Sequence, residues 1–255
     1  MDEQLMLVEN IEMCFSTRKG NITALRNLNF EVKRGEFLAI VGPSGCGKST
    51  LINVLAGILK PTGGKVVLDG EEVKEISPKM GMVFQKYAAF PWMTVRENIS
   101  YGPRIARKQK SEIERVTNHY SHMVGLEAYE HLYPKELSGG MSKRVDIARA
   151  YANQPEVLLM DEPFGALDDI TKKQMQIELL NIWGQENKTV IFITHDLEEA
   201  IFLADRILVL RRPAEGQDSL NFIQPVSFTR PREPELRTCK EFVQLKAELS
   251  EVMLK

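Results

Sequence analysis

Phe37-Leu38-Ala39-Ile40-Val41-Gly42-Pro43-Ser44-Gly45-Cys46-Gly47-Lys48-Ser49-Thr50 is the stretch that decides the fold. An apolar run of strand length enters a glycine-rich turn that fits G-x-x-x-x-G-K-[ST] in full. Helical spacing follows, with Leu51, Val54, Leu55 and Ile58 on one face. That spacing predicts a helix over 49–59, stopped by Lys60-Pro61 and Gly63-Gly64. Glycines let consecutive backbone N–H groups turn inward toward phosphate oxygens, and the helix N-terminus adds a favourable dipole. Lys48 brings a mobile cation to the β- and γ-phosphates, and the Ser49 hydroxyl offers an oxygen to Mg²⁺. Cys46 fills a free position of the pattern and reads as a small filler.

Outward from this loop, the chain alternates strands and helices. Strands are expected over 5–13, 22–32, 65–68 and 81–84, with Asp69-Gly70 as a tight turn. Helices are expected over 111–124 and 142–153, where the strand signal fades. Strands return at 157–160, 190–193 and 207–210, with helices at 172–183 and 197–203 between them. This order predicts an α/β domain interrupted by a helical insert. A segment rich in Pro and charge, 211–234, precedes a helical tail from about Cys239. The 255 residues carry 33 Lys and Arg against 35 Asp and Glu, a net charge of −2. Such a balance lacks the basic excess of a nucleic-acid binder. No apolar run is long enough to span a bilayer, and residues 1–10 carry acids but no base, unlike a secretory leader. Cys14, Cys46 and Cys239 have neither metal-ligand nor disulfide spacing.

The second chemical signal is Val157-Leu158-Leu159-Met160-Asp161-Glu162, an apolar strand ending in two carboxylates. Side chains alternate along a strand, so the two acids have different tasks. Asp161 suits Mg²⁺ and its water, and Glu162 suits polarisation of an attacking water. Leu137-Ser138-Gly139-Gly140-Met141 precedes this strand, Gln85 follows Met82-Val83-Phe84, and Gly165-Ala166-Leu167-Asp168 and Ile193-Thr194-His195-Asp196 come after it. In this order, and with Phe15 upstream, residues 5–210 closely resemble the ATP-binding-cassette (ABC) ATPases.

The resemblance implies a P-loop α/β core of ABC type with an antiparallel β subdomain and an inserted α-helical subdomain. The core would span 1–86 and 157–210, the helical subdomain 87–156, and a C-terminal extension 211–255. It implies that ATP is held by Gly42, Pro43, Ser44, Gly45, Cys46, Gly47, Lys48, Ser49 and Thr50, with Phe15 stacked on adenine. Ser49, Gln85 and Asp161 would serve Mg²⁺. Glu162 would be the general base, with Gln85 sensing and His195 contacting the γ-phosphate. Ser138, Gly139, Gly140 and Asp168 would act across a head-to-tail dimer, on the nucleotide held by the second copy. Two phosphate-binding helix ends in one chain, at Ser49 and after Ser138, fit a nucleotide held between two copies.

Within the family, Tyr133-Pro134-Lys135-Glu136-Leu137-Ser138-Gly139-Gly140-Met141 and Pro225-Val226-Ser227-Phe228-Thr229-Arg230-Pro231-Arg232 are similar to ATPase subunits of importers for nitrate, sulfonates and taurine. Partners implied are transmembrane permease subunits and, indirectly, a solute-binding protein, with the chain at the cytoplasmic face of the membrane. Residues 90–99, Phe90-Pro91-Trp92-Met93-Thr94-Val95-Arg96-Glu97-Asn98-Ile99, are expected to dock the permease through Trp92, Met93 and Val95, with Thr94 starting a short helix capped by Glu97. The alternative is a non-transport ABC ATPase acting on a macromolecule. The sequence departs from the family at Ser142-Lys143-Arg144, where a basic residue, glutamine and arginine are usual, at Asp146, where a small residue is usual, and at Tyr151, usually leucine.

Overall fold

The computed structural model describes residues 3–18, 20–213 and 217–254. The described residues fall into two compact units, those within 3–77 and 189–254, and 78–188.

In the first unit, β1 (Gln4–Thr17) and β2 (Gly20–Lys33) form a long antiparallel hairpin, extended by β4 (Gly63–Leu68) and β5 (Glu71–Glu72) in the order β2-β1-β4-β5. Met6, Val8, Ile11, Leu25, Leu28 and Val32 are buried, so the alternation read from the sequence, stepped by the register shifts, fills one face. Register shifts accompany Asn10 and Asn27, whose φ values of 49° and 44° a short amide side chain tolerates. A parallel set follows: β3 (Phe37–Val41) lies between β8 (Thr189–Ile193) and β9 (Arg206–Leu210), and β10 (Leu220–Pro225) pairs antiparallel with β9. All residues of β3 and β8 are buried, as strands covered on both faces require.

Helix α1 (Lys48–Leu55) starts one residue before the sequence expectation and ends four before it. Gly57 turns the chain with φ +71°, and a side chain there would strike the Glu75 carbonyl oxygen at 2.4 Å. This glycine, and not the later Lys60-Pro61, stops the helix. Helix α6 (Leu197–Leu203) matches the expected span. The C-terminal segment caps it: Arg232 donates to the carbonyls of Ile201, Phe202 and Ala204, and Arg230 to that of Leu203 at 2.7 Å. Helix α7 (Lys240–Leu254) adds the Lys246–Glu198 pair at 2.9 Å. Among the described residues no helix is long and apolar enough to cross a membrane.

The second unit holds the parallel pair β6 (Met80–Val83) and β7 (Val157–Asp161) and helices α2 (Val95–Ile105), α3 (Lys110–Met123), α4 (Gly139–Ala152) and α5 (Asp169–Glu186). Thr94 caps α2 through a reciprocal box with Glu97. Ser138 caps α4 by accepting from the Met141 N–H at 3.3 Å, so this helix begins earlier than its apolar spacing predicts. Val95 is fully buried, which corrects its expected place on a docking surface: it is the first residue of α2 and faces the interior. Tyr151 is also fully buried, close to the Tyr120 ring.

Candidate functional site

The phosphate loop joins β3 to α1. Gly47 is the N-cap of α1 with φ 102°, a conformation open to glycine, and a Cβ there would meet the Ala24 carbonyl oxygen of β2 at 2.6 Å. A Cβ on Gly42 would lie 2.6 Å from the Leu210 carbonyl oxygen and 2.7 Å from Cys46 Sγ. Pro43, Ser44, Gly45 and Ser49 are exposed, and Thr50 is half-buried. The Lys48 side chain folds back over the loop, and its ammonium donates to the carbonyl oxygens of Gly42 at 2.7 Å and Pro43 at 3.1 Å. The first N–H groups of α1 have no intrahelical acceptor. The loop therefore offers an anion a ring of backbone donors with a cation held beside it. Cys46 is buried beneath, and burial pushes its thiol above the ordinary range, so it stays protonated.

Next to the loop, Phe15 on β1 stands opposite Ile22 on β2. Both are exposed, 36 % and 51 %, and they form an apolar step a few residues from the Ala24–Gly47 contact. This suits a flat heterocycle. His195 follows Thr194 beyond the end of β8 and is exposed. Asp196 caps α6 by accepting from the Glu198 and Glu199 N–H groups, and buried Glu199 accepts from the Thr194 hydroxyl. Neither interaction uses His195.

In the second unit, β7 delivers Asp161 at its last position and Glu162 immediately after it. Glu162 has φ 43°, in the left-handed region where a glutamate is strained. Its carboxylate accepts from Gln85 Nε2 at 3.3 Å, so residues 77 apart in sequence meet. Ser138, Gly139 and Gly140 form the first turn of α4. A Cβ on Gly139 would lie 2.6 Å from the Tyr87 hydroxyl, and one on Gly140 2.9 Å from Thr171 Cγ2. Asp168 caps α5 by accepting from the Thr171 N–H at 3.0 Å, and these hydrogen bonds hold its carboxyl below the usual range. The α4 and α5 starts thus lie beside one another with Tyr87 at their edge. Nothing in the sequence singled out Tyr87.

Among the described residues no cluster of three His, Cys, Asp or Glu side chains could hold a metal by itself. The first unit carries the Ser49 hydroxyl, and the second the Asp161 carboxylate and the Gln85 amide carbonyl. Each is an oxygen donor of the hard kind that Mg²⁺ takes.

A glycine-rich loop between a buried parallel strand and a helix, in an α/β fold, defines a P-loop nucleoside triphosphatase. A family profile described as "ABC transporter" matches residues 25–165, more than half of the chain. The nitrate import ATP-binding protein NrtD of Synechococcus elongatus is 45 % identical over 223 residues, 87 % of this chain and 81 % of its own. The aliphatic sulfonates import ATP-binding protein SsuB of Bacillus thuringiensis subsp. konkukian is 41 % identical over 243 residues, 95 % of this chain and 93 % of its own. Among solved structures, the dimeric MJ0796, a bacterial ABC transporter cassette, superposes with TM-score 0.75 at 31 % identity, covering 88 % of this chain and all of that one. A second structure of that cassette is a post-hydrolysis dimer bound to ADP and Pi. The chain belongs to the ABC transporter family and is one of its ATP-binding, ATP-hydrolysing subunits. The expected fold class and family are borne out.

Proposed function

We propose that this subunit powers an importer of a small solute of the nitrate, sulfonate or taurine class, hydrolysing MgATP in a head-to-tail pair of identical chains. The observation that carries this reading is the Gln85–Glu162 contact, with Glu162 held in a strained backbone conformation. A glutamate kept at a strand tip and tied to an amide is placed for proton work and not for packing. In this reading Glu162 takes the proton of the attacking water, and Gln85 orients it. Lys48, the backbone donors of 42–50 and His195 bind the phosphates, and Phe15 stacks on adenine. Mg²⁺, held by Ser49, Asp161 and Gln85, would neutralise charge on the phosphate oxygens. Ser138, Gly139, Gly140 and Asp168 serve the nucleotide of the second copy.

The relatives named as nitrate and sulfonate import proteins support the solute class, and the dimeric cassette supports the pairing. Permease subunits would dock at residues 90–99, where Trp92 is 68 % exposed and stacked on Phe90. Met93 is half-buried and contributes less. A solute-binding protein would act only through the permease, and the chain would sit at the cytoplasmic face. The division into a core of 1–86 and 157–210, a helical part of 87–156 and an extension of 211–255 belongs to the same proposal. The test is Glu162→Gln. ATP binding should persist while turnover falls at least about 100-fold, and the variant should accumulate as an ATP-loaded dimer. Near-normal turnover would remove Glu162 from the role of base.

A further inference from the structure

Two departures from the family pattern, Lys143 and Asp146, turn out to be the two ends of one ion pair. Their side chains are 0 % and 2 % exposed, with Nζ and Oδ2 3.4 Å apart on one face of α4. Charges so deeply buried are costly unless every donor and acceptor is used. Here they are used on one segment. The Lys143 ammonium also donates to the carbonyl oxygens of Phe84 at 2.9 Å and Gln85 at 3.3 Å, and lies 5.2 Å from the Tyr87 ring centroid. Both Asp146 oxygens accept the Ala88 N–H, at 3.1 and 3.2 Å. One turn further, Arg149 donates to the Ala88 carbonyl and covers the Phe90 ring at 4.7 Å. Buried Asn98 then holds both backbone groups of Phe90 and the carbonyls of Met93 and Thr94. Burial pulls the ammonium pKa down and pushes the carboxyl up, while each partner's charge works against the other's shift.

We propose that Lys143 and Asp146 are positioning residues for Gln85: the pair pins the backbone on both sides of its side chain and makes the stretch from Gln85 to half-buried Phe90 and the exposed Trp92 stacked on it follow α4 as one piece. Resting on the ATPase reading above, this deepens it. The proposal supplies a mechanical link between the surface expected to meet the permease and the amide that touches Glu162. A glutamine and a small residue at these positions would leave the three backbone groups to weaker partners.

The test uses the full chain. Asp146→Ala alone strands a buried ammonium and should fold poorly. The neutral pair Lys143→Gln/Asp146→Ala should fold, with a thermal midpoint near that of the parent. In this double variant amide hydrogen exchange over residues 84–90 should accelerate about tenfold, while ATP affinity stays within about twofold. Turnover should fall about tenfold when Gln85 is present, and the same two substitutions should cost nothing further in a Gln85→Ala background. Unchanged exchange over 84–90 would overturn the proposal, as would an equal loss of turnover with and without Gln85. Failure of the role given to Glu162 shows elsewhere, as near-normal turnover in Glu162→Gln, and the exchange measurement does not depend on it.

Discussion

At Lys48 the loop serves its own cation before any ligand arrives. The ammonium is buried and held by two carbonyls, at 2.7 and 3.1 Å, so its position is already fixed beside the backbone donors of α1. In the proposed site a triphosphate would meet a charge already held beside those donors, which makes a charge-assisted contact count. Lys48→Ala should raise the Kd for ATP about 100-fold, roughly 2.7 kcal/mol, in a calorimetric titration. An affinity within twofold of the parent would mean that the backbone donors carry binding alone. The strand, glycine-rich loop and helix were legible from the sequence because local spacing specifies them. The Gln85–Glu162 contact was not, since it depends on β6 and β7 pairing side by side, a tertiary fact that no local pattern encodes. The left-handed backbone of Glu162 was equally hidden, because glutamate gives no hint of positive φ as glycine would.

The elements divide by whether local or distant residues end them. The span of α6 and the capped start of α2 were readable, since helical spacing and the Thr94–Glu97 box are local signals. Helix α1 stops early because Gly57 has to leave room for the Glu75 carbonyl, a constraint from a segment far along the chain. Strand β10 lies hidden inside a stretch rich in Pro and charge, and it exists because β9 offers it an edge. Val95 reads as surface and proves to be core, because the box that starts α2 turns its first residue inward. Thr94→Ala should cost about 1 kcal/mol of stability, read by chemical denaturation; no loss would mean that tertiary packing alone sets the start of α2. Trp92→Ala, by contrast, removes an exposed ring. It should leave turnover of the isolated chain unchanged and abolish co-purification with a permease, and retained co-purification would move the docking surface elsewhere.

Across the whole molecule, the proposed function gives the chain two helix starts that would serve phosphate, more than one nucleotide needs. One helix start follows the loop at Gly47, and another follows Ser138, beside the capped start of α5 and the Tyr87 hydroxyl. In the proposed head-to-tail pair, the second serves a nucleotide held by another copy of the chain. The C-terminal segment has a separate task in the fold. Its arginines close the carbonyl end of α6, the helix that follows His195, which gives the residues after 211 a structural role that composition alone did not reveal.

The direct measurement is ATP turnover per chain of the isolated protein across a wide dilution series at saturating MgATP, with the oligomeric state followed by light scattering. Turnover per chain should fall toward zero as the dimer dissociates and recover on reconcentration. Full turnover per chain in a solution of monomers would contradict a shared site, because a single copy would then complete the reaction alone.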